Sequence, residues 1–253
     1  MSAGGALWAY AVVPERTRLA EPLRGLADAP VQLLGDGSHA LLVSVLASDA
    51  MASAEDPQVL AAHAERHHEV VRSMLDSAPA VLPFRLGTVL RDRAAVRAYL
   101  EGRRESLQRA LRHLEDRREW SVLVDASGDG PRGETSGSPP PCEGLGAGAA
   151  YLAQRRHQLT TAEMQRRERA ALLHDVGLAL RERVVDVAVG HERDDAVAFA
   201  EHYLVERARE PEFFETVDAC GDALLERGLT LRLTGPWPAY SFARISMVEQ
   251  AHD

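Results

Sequence analysis

The sequence has no lysine: all 29 of its basic residues are arginine. Without a lysine there is no Schiff-base amine and no phosphate-cradling ammonium, so lysine-based covalent catalysis and a Walker-type nucleotide site are excluded. Cysteine is scarce, with only Cys142 and Cys220, far apart in the chain and in no CxxC spacing. Such a pair suits a reducing compartment better than a disulfide framework or a zinc ribbon. Aromatics are few, at 5%. No apolar run approaches the roughly 20 residues of a membrane helix. The opening MSAGGALWAYAVVPE has no basic stretch ahead of its apolar part. It predicts a strand rather than a signal peptide, and hence a cytoplasmic protein. There is no GxSxG elbow and no Cys-His dyad at a recognisable spacing; this does not forbid an enzyme but gives no reaction to propose, and no cofactor or metal ion is expected.

What is present is a chain of 253 residues, 45% apolar and 26% charged, enough for one large domain or two small ones. Its formal charge of −9 argues against a general nucleic-acid binder, which needs a basic surface. Residues 127–148, SGDGPRGETSGSPPPCEGLGAG, are dominated by Gly, Pro and Ser and cannot bury enough apolar surface to offset their ordering entropy. They predict a linker that divides the chain into residues 1–126 and 149–253.

The hydrophobic patterning predicts an α+β protein. In the first part, strands are expected at 6–13 and at 39–46, the latter entered through the Gly-Asp-Gly turn at 35–37. A helix is expected at 57–76, with Pro57 in its first turn and Val59, Ala62, Val70, Met74 and Leu75 on one stripe. Residues 80–86 should be extended, with Pro83 confining them to an edge or a bulged strand. One helix over 92–116 and a strand at 119–125 complete this part. In the second part a long helix is expected at 149–187. Leu152, Leu159, Leu173 and Leu180 share a seven-residue register in it, interrupted by Arg166. That thin stripe on a polar helix leaves room for pairing with another helix, a homodimer included. A strand at 196–205, a helix at 211–227 and a strand at 229–234 then suit a small two-layer unit.

Several side-chain groups invite a chemical reading. His63 and His67 stand four apart on the first helix, a metal-ligating spacing, but Ala64 occupies the place where a zincin carries its Glu. The residue pattern therefore predicts partly exposed helix histidines, His68 among them. His174-Asp175 has no matching second set. Gly144, Gly146 and Gly148 lack the preceding strand of a dinucleotide loop, and Ala149 stands where the third glycine should. Arg103, Arg104, Arg109, Arg112, Arg117 and Arg118 alternate with Glu101, Glu105, Glu115, Asp116 and Glu119, which predicts a solvated face of local ion pairs. A metal-dependent hydrolase built on His63 and His67, or an RNA-associated regulator built on the arginine-rich helix, are the rival readings.

Two segments stand out: VLPFRLGTVL at 81–90 and GPWPAYSF at 235–242. With WAYAVV at 8–13, EW at 119–120, GAAYLAQRR at 148–156 and LVER at 204–207, they resemble, in the same order, the GvpF/GvpL family of gas vesicle proteins. The resemblance covers nearly the whole chain. Ala11, Leu86 and Ala239 depart from the residues usual in that pattern, and F-like and L-like membership stay open. The resemblance implies two α+β domains, the C-terminal one ferredoxin-like. It also implies a minor component or assembly factor of gas vesicles in contact with the hydrophobic shell protein GvpA and other accessory proteins, and no catalytic residue.

The two segments supply the candidate structural or partner-binding residues. In the first, Pro83 halts strand pairing on one side, Gly87 permits a sharp turn that Thr88 follows, and Arg85 brings five fixed donors. Arg85 is expected to tie carbonyls or a carboxylate across the domain boundary. In the second, Gly235 leads into Pro236 and Pro238, which hold an extended backbone, and Trp237, Tyr240 and Phe242 add apolar area. Two readings remain for that loop: rigid packing on its own domain, or an exposed aromatic anchor for a partner.

Overall fold

The computed structural model describes residues 5–19, 21–46, 56–125, 147–190 and 197–243. The chain forms two compact units. The first takes the residues up to Trp120 together with Leu204–Arg207 and the chain from Thr234 onward; the second takes Ser121–Tyr203 and Ala208–Leu233. The change of unit therefore falls inside a strand rather than in the Gly/Pro/Ser-rich stretch expected to divide the chain. Residues 127–146 of that stretch lie outside the described residues.

The first unit is built around β1 (Leu7–Pro14), every residue of which is buried except half-buried Pro14. Burial on both faces explains why WAYAVV reads as a continuous apolar run rather than an alternation. β1 pairs antiparallel with β3 (His39–Val45), which pairs with β2 (Val31–Gly35) on its far side. On the other side of β1 lie β4 (Leu82–Pro83) and β5 (Val89–Leu90). Pro83 thus sits in a two-residue edge strand, where a missing N–H does least harm. A bulge between Ala9 and Ala11 lets Tyr10 face the core.

The helix α1 (Pro57–Ser73) begins on Asp56, whose carboxylate accepts from Gln58 N at 2.8 Å, with Pro57 at its first position. It lays Val70 and Val71 against Trp8, Tyr10 and Val13. The single helix expected over 92–116 is two, α2 (Arg93–Gly102) and α3 (Arg104–Leu114), broken at Arg103 directly after Gly102. Asp92 caps α2 by accepting from Ala95 N.

The second sheet holds β6 (Arg117–Asp125), β7 (Asp186–Val189), β8 (Val197–Glu206) and β9 (Thr230–Trp237) in the order β7-β8-β6-β9. The strand ends at 117–120, 204–206 and 234–237 count with the first unit. α4 (Ala147–Arg181) follows β6, and α5 (Glu210–Leu225) joins β8 to β9. α4 stops short of the expected 187 because Val184, Val185 and Val187, β-branched and stiff, lead into β7. Leu173, Val176 and Leu180 of α4 pack in the same unit as Phe213, Val217 and Leu224 of α5. Leu159, on the same seven-residue register, is exposed. Buried Glu201 accepts from Tyr203 Oη at 2.8 Å and pairs with Arg181. No helix among the described residues is long and apolar enough to cross a membrane.

Candidate partner-binding surface

The first candidate segment is a tight turn fastened to β1. Phe84 N donates to Tyr10 O at 2.8 Å, and Ala9 N donates to Thr88 O at 2.9 Å. Between them, Thr88 N and Thr88 Oγ1 both donate to Arg85 O, at 3.2 and 2.7 Å. Gly87 has φ +84°, a left-handed conformation that this reversal needs and that a side chain would resist. Arg85, Leu86 and Gly87 form the exposed tip, while Pro83, Phe84 and Thr88 are buried. The expected tie from Arg85 to a carbonyl or carboxylate is not formed among the described residues. Its guanidinium points to solvent from a tip whose bonds are all made by backbone and Thr88.

The turn is locked from beneath by His67, which is 2% exposed. Trp8 Nε1 donates to His67 Nδ1 at 3.0 Å, and His67 Nε2 lies 3.1 Å from Phe84 O. Because an indole nitrogen can only donate, Nδ1 must accept, so the proton sits on Nε2 and is given to the carbonyl. Both ring nitrogens are thereby used and neither is left to hold a metal. Burial pushes the His67 pKa down to about 4; the bond to Phe84 O opposes this and neighbouring His68 adds to it. The expectation of a partly exposed histidine is therefore corrected for His67 and holds only for His63 and His68, which are half-buried. Tyr10 stacks 5.3 Å from the His67 ring, accepts from Leu26 N and shares a 2.8 Å hydrogen bond with Ser44.

The second candidate segment, also in the first unit, is anchored by the EW pair. Glu119, 3% exposed, accepts from Ser241 N at 3.0 Å and from Ser241 Oγ at 2.8 Å. Burial raises the Glu119 pKa, and these two bonds hold it back. Trp120 lies against Gly235, where a Cβ would come within 2.8 Å of the indole and 3.0 Å of Glu119 O. Gly235 has φ +138° and precedes a cis peptide to Pro236. The close approach and this φ are both met only by glycine. Pro238, Ala239 and Phe242 are buried; Trp237 is half-buried, and Tyr240 is 37% exposed.

One helix carries contacts to both segments. His67 meets the first, and the next residue, His68, lies 5.4 Å from Trp237 and 6.2 Å from Tyr240. Tyr240's hydroxyl pKa is pushed up to about 12 by burial and by the Glu119 carboxylate. The residues sequence reasoning missed are Trp8, Tyr10, His68 and the buried role of Glu119. The signal was available for His67, which falls three and four residues before Val70 and Val71 on the buried stripe.

The arginine-rich stretch is largely engaged within the fold. Arg104 pairs with Asp36 at 2.9 Å, Arg117 with Glu206 at 3.5 Å, and Arg118 with Asp76. Arg103 covers the Tyr99 ring at 4.8 Å, and Arg112 Nε donates to Gln108 O. The acids paired with Arg104, Arg117 and Arg118 are distant in sequence rather than the neighbouring glutamates of the expected local pairs, and these bonds leave the RNA reading without a feature to carry it.

Two sheets clad by helices place the chain in the class of α+β proteins. The fold matches gas vesicle protein GvpF from Anabaena sp. PCC7120 with a TM-score of 0.71, over 96% of this chain and 99% of that one, at 18% identity. It matches GvpF from Microcystis aeruginosa with a TM-score of 0.68, over 95% and 99%, also at 18% identity. In sequence the chain is 33% identical to gas vesicle protein L of Streptomyces sp. (strain CB03234), covering 100% of this chain and 98% of that protein. It is 30% identical to gas vesicle protein F of the same strain, over 88% and 93%. Residues 6–244 match the family model described as gas vesicle synthesis protein GvpL/GvpF, and the chain belongs to that family.

Proposed function

We propose that this protein is a non-enzymatic accessory or minor structural component of gas vesicles that binds the hydrophobic shell protein GvpA and supports vesicle assembly in the cytoplasm. The observation that carries this reading is the pair of partly open rings, Trp237 and Tyr240, held on a frame fixed by Glu119, Pro238 and Phe242. A rigid aromatic face loses little entropy on binding, which is what a partner anchor requires. The exposed Arg85-Leu86 tip is the second element of that surface.

Shell subunits expose apolar area before they join a shell and are then prone to aggregate. A chain of formal charge −9 that covers such area would also keep the complex dispersed. The β6-α4-β7-β8-α5-β9 succession and its strand order support a ferredoxin-like reading of the sheet that the second unit carries.

The test is co-purification of GvpA with the protein from cells that make the vesicle cluster, in parallel with Tyr240→Ala and Trp237→Ala. Retention of GvpA by the native chain and its loss from variants that melt normally are expected. If GvpA never co-purifies, the reading fails. If it stays bound to both folded variants, the aromatic face is not the anchor.

A further inference from the structure

The second unit holds an unfilled groove of about 410 Å³ between α5 and β9. Val217, Leu225, Leu231 and Leu233 supply its apolar lining, and Asp218 and Asp222 its charge; no cation lines it among the described residues. Leu231 and Leu233 alternate with exposed Thr230 and Arg232, so they share one face of the strand. Leu225 is 64% exposed beside them. β9 ends the order β7-β8-β6-β9, so its outer row of N–H and C=O groups has no strand partner among the described residues. Gly221 faces the open space of the groove, where a Cβ would meet nothing within 4 Å.

An open strand edge, an apolar floor and two uncompensated carboxylates together specify a ligand. The edge needs a backbone in extended form, the floor needs apolar side chains at every second position, and the aspartates need a cation. We propose that this groove is a second docking site, at which a partner's extended segment adds to the sheet along β9, with alternate apolar side chains over Leu231 and Leu233 and an arginine or lysine against Asp218 and Asp222. A second copy of this chain is the poorer occupant. Edge-to-edge pairing about a two-fold axis would bring like acidic rims together. The site lies in the other unit from the aromatic face and does not depend on GvpA being the partner there.

The experiment uses the full-length protein and a synthetic peptide of alternating valine and threonine carrying two arginines, with a twin carrying two glutamates in their place. Binding is followed by amide exchange and by NMR titration. The arginine peptide should slow exchange at residues 230–233 and outbind its twin. Gly221→Phe, which fills the groove from a helix position with free space around it, should weaken binding at least about tenfold with an unchanged far-UV spectrum. Asp222→Arg, a change at the exposed rim that keeps the test open if Gly221→Phe misfolds, should abolish the preference between the two peptides, because the new guanidinium offsets Asp218 four residues before it. The proposal is overturned by any one of three results: no added protection at 230–233, equal binding of the twins by the native chain, or a Gly221→Phe protein that folds and binds as before. It is likewise overturned if sedimentation shows a dimer of the native chain that Gly221→Phe dissociates, because the edge then belongs to a second copy.

Discussion

The family-bearing segments of the first unit and the open elements of the second make opposite use of their residues. In the first, LPFRLGT, EW and GPWPAYSF are bound to β1, to α1 and to each other through Phe84 O, Thr88, Glu119 and Gly235. In the second, Leu159 on α4 and Leu225 on α5 lie open to solvent, and β9 ends its sheet. A sequence signature can therefore mark how a surface is held rather than which atoms touch a partner. Of the ten candidate residues, Pro83, Thr88, Pro238 and Phe242 are buried in the fold, while Arg85, Trp237 and Tyr240 are what a partner could meet.

Breaking the fastening should produce the largest effect. His67→Ala leaves Trp8 Nε1–H and Phe84 O unpaired in a dry site and opens a cavity. It should cost about 4 kcal/mol in urea unfolding, whereas Leu178→Ala on exposed α4 should cost under about 1 kcal/mol.

Acid should act through the same residue. Folded His67 stays neutral down to about pH 4, while in the unfolded chain it takes its proton near pH 6.5. The unfolded state therefore binds more protons between these limits, and stability falls as pH drops from about 6.5 toward 4, by about 3 kcal/mol from this group. The lowered pKa values of His39 and His68 act in the same direction. Glu119, whose pKa is raised, opposes them: its contribution is present at low pH and is lost as pH rises through its folded value. His67→Gln should flatten the slope of stability against pH over that range, measured by denaturant titration at each pH.

Glu119→Ala, which frees Ser241, should cost about 2 kcal/mol and loosen the aromatic loop, seen as a shift in Trp237 fluorescence; Glu119→Gln, which keeps an acceptor, should cost less. The smallest effect sharpens the contrast from the other side. Gly221→Ala should raise stability by about 1 kcal/mol, because an open helical position gains propensity without a clash, and the melting temperature reports it.

Much of the fold was legible in the sequence. β1, β3, α1, α5 and β9 fall within a few residues of their expected places, because their apolar periodicity and, for α1, the start at Pro57 are local signals. β2, β5 and β7 were not legible. They are five residues or shorter, too short for a periodicity to show, although β2 and β7 pair with the next strand in sequence and only β5 depends on a distant one, β1. The α2–α3 break was written in Gly102 but masked by the unbroken stripe of Val96, Leu100, Leu107 and Leu111. At the site, the two loop motifs were visible as unusual strings. What they bond to was not, since a buried Glu119 reads locally as one more charge in an Arg/Glu-rich run.

The first unit also carries a constraint of timing. Its residues up to Trp120 leave the ribosome early, yet Thr234–Ala243, which supply Ser241 to Glu119 and Trp237 to His68, are made only after the whole of the second unit. Until that last stretch arrives, Glu119 has no serine to accept from and the Trp120 indole lacks its glycine cover. A nascent chain is thus one closing strand short of completion throughout most of its synthesis, and any truncation before Ser241 removes both hydrogen bonds that this serine gives to the Glu119 carboxylate.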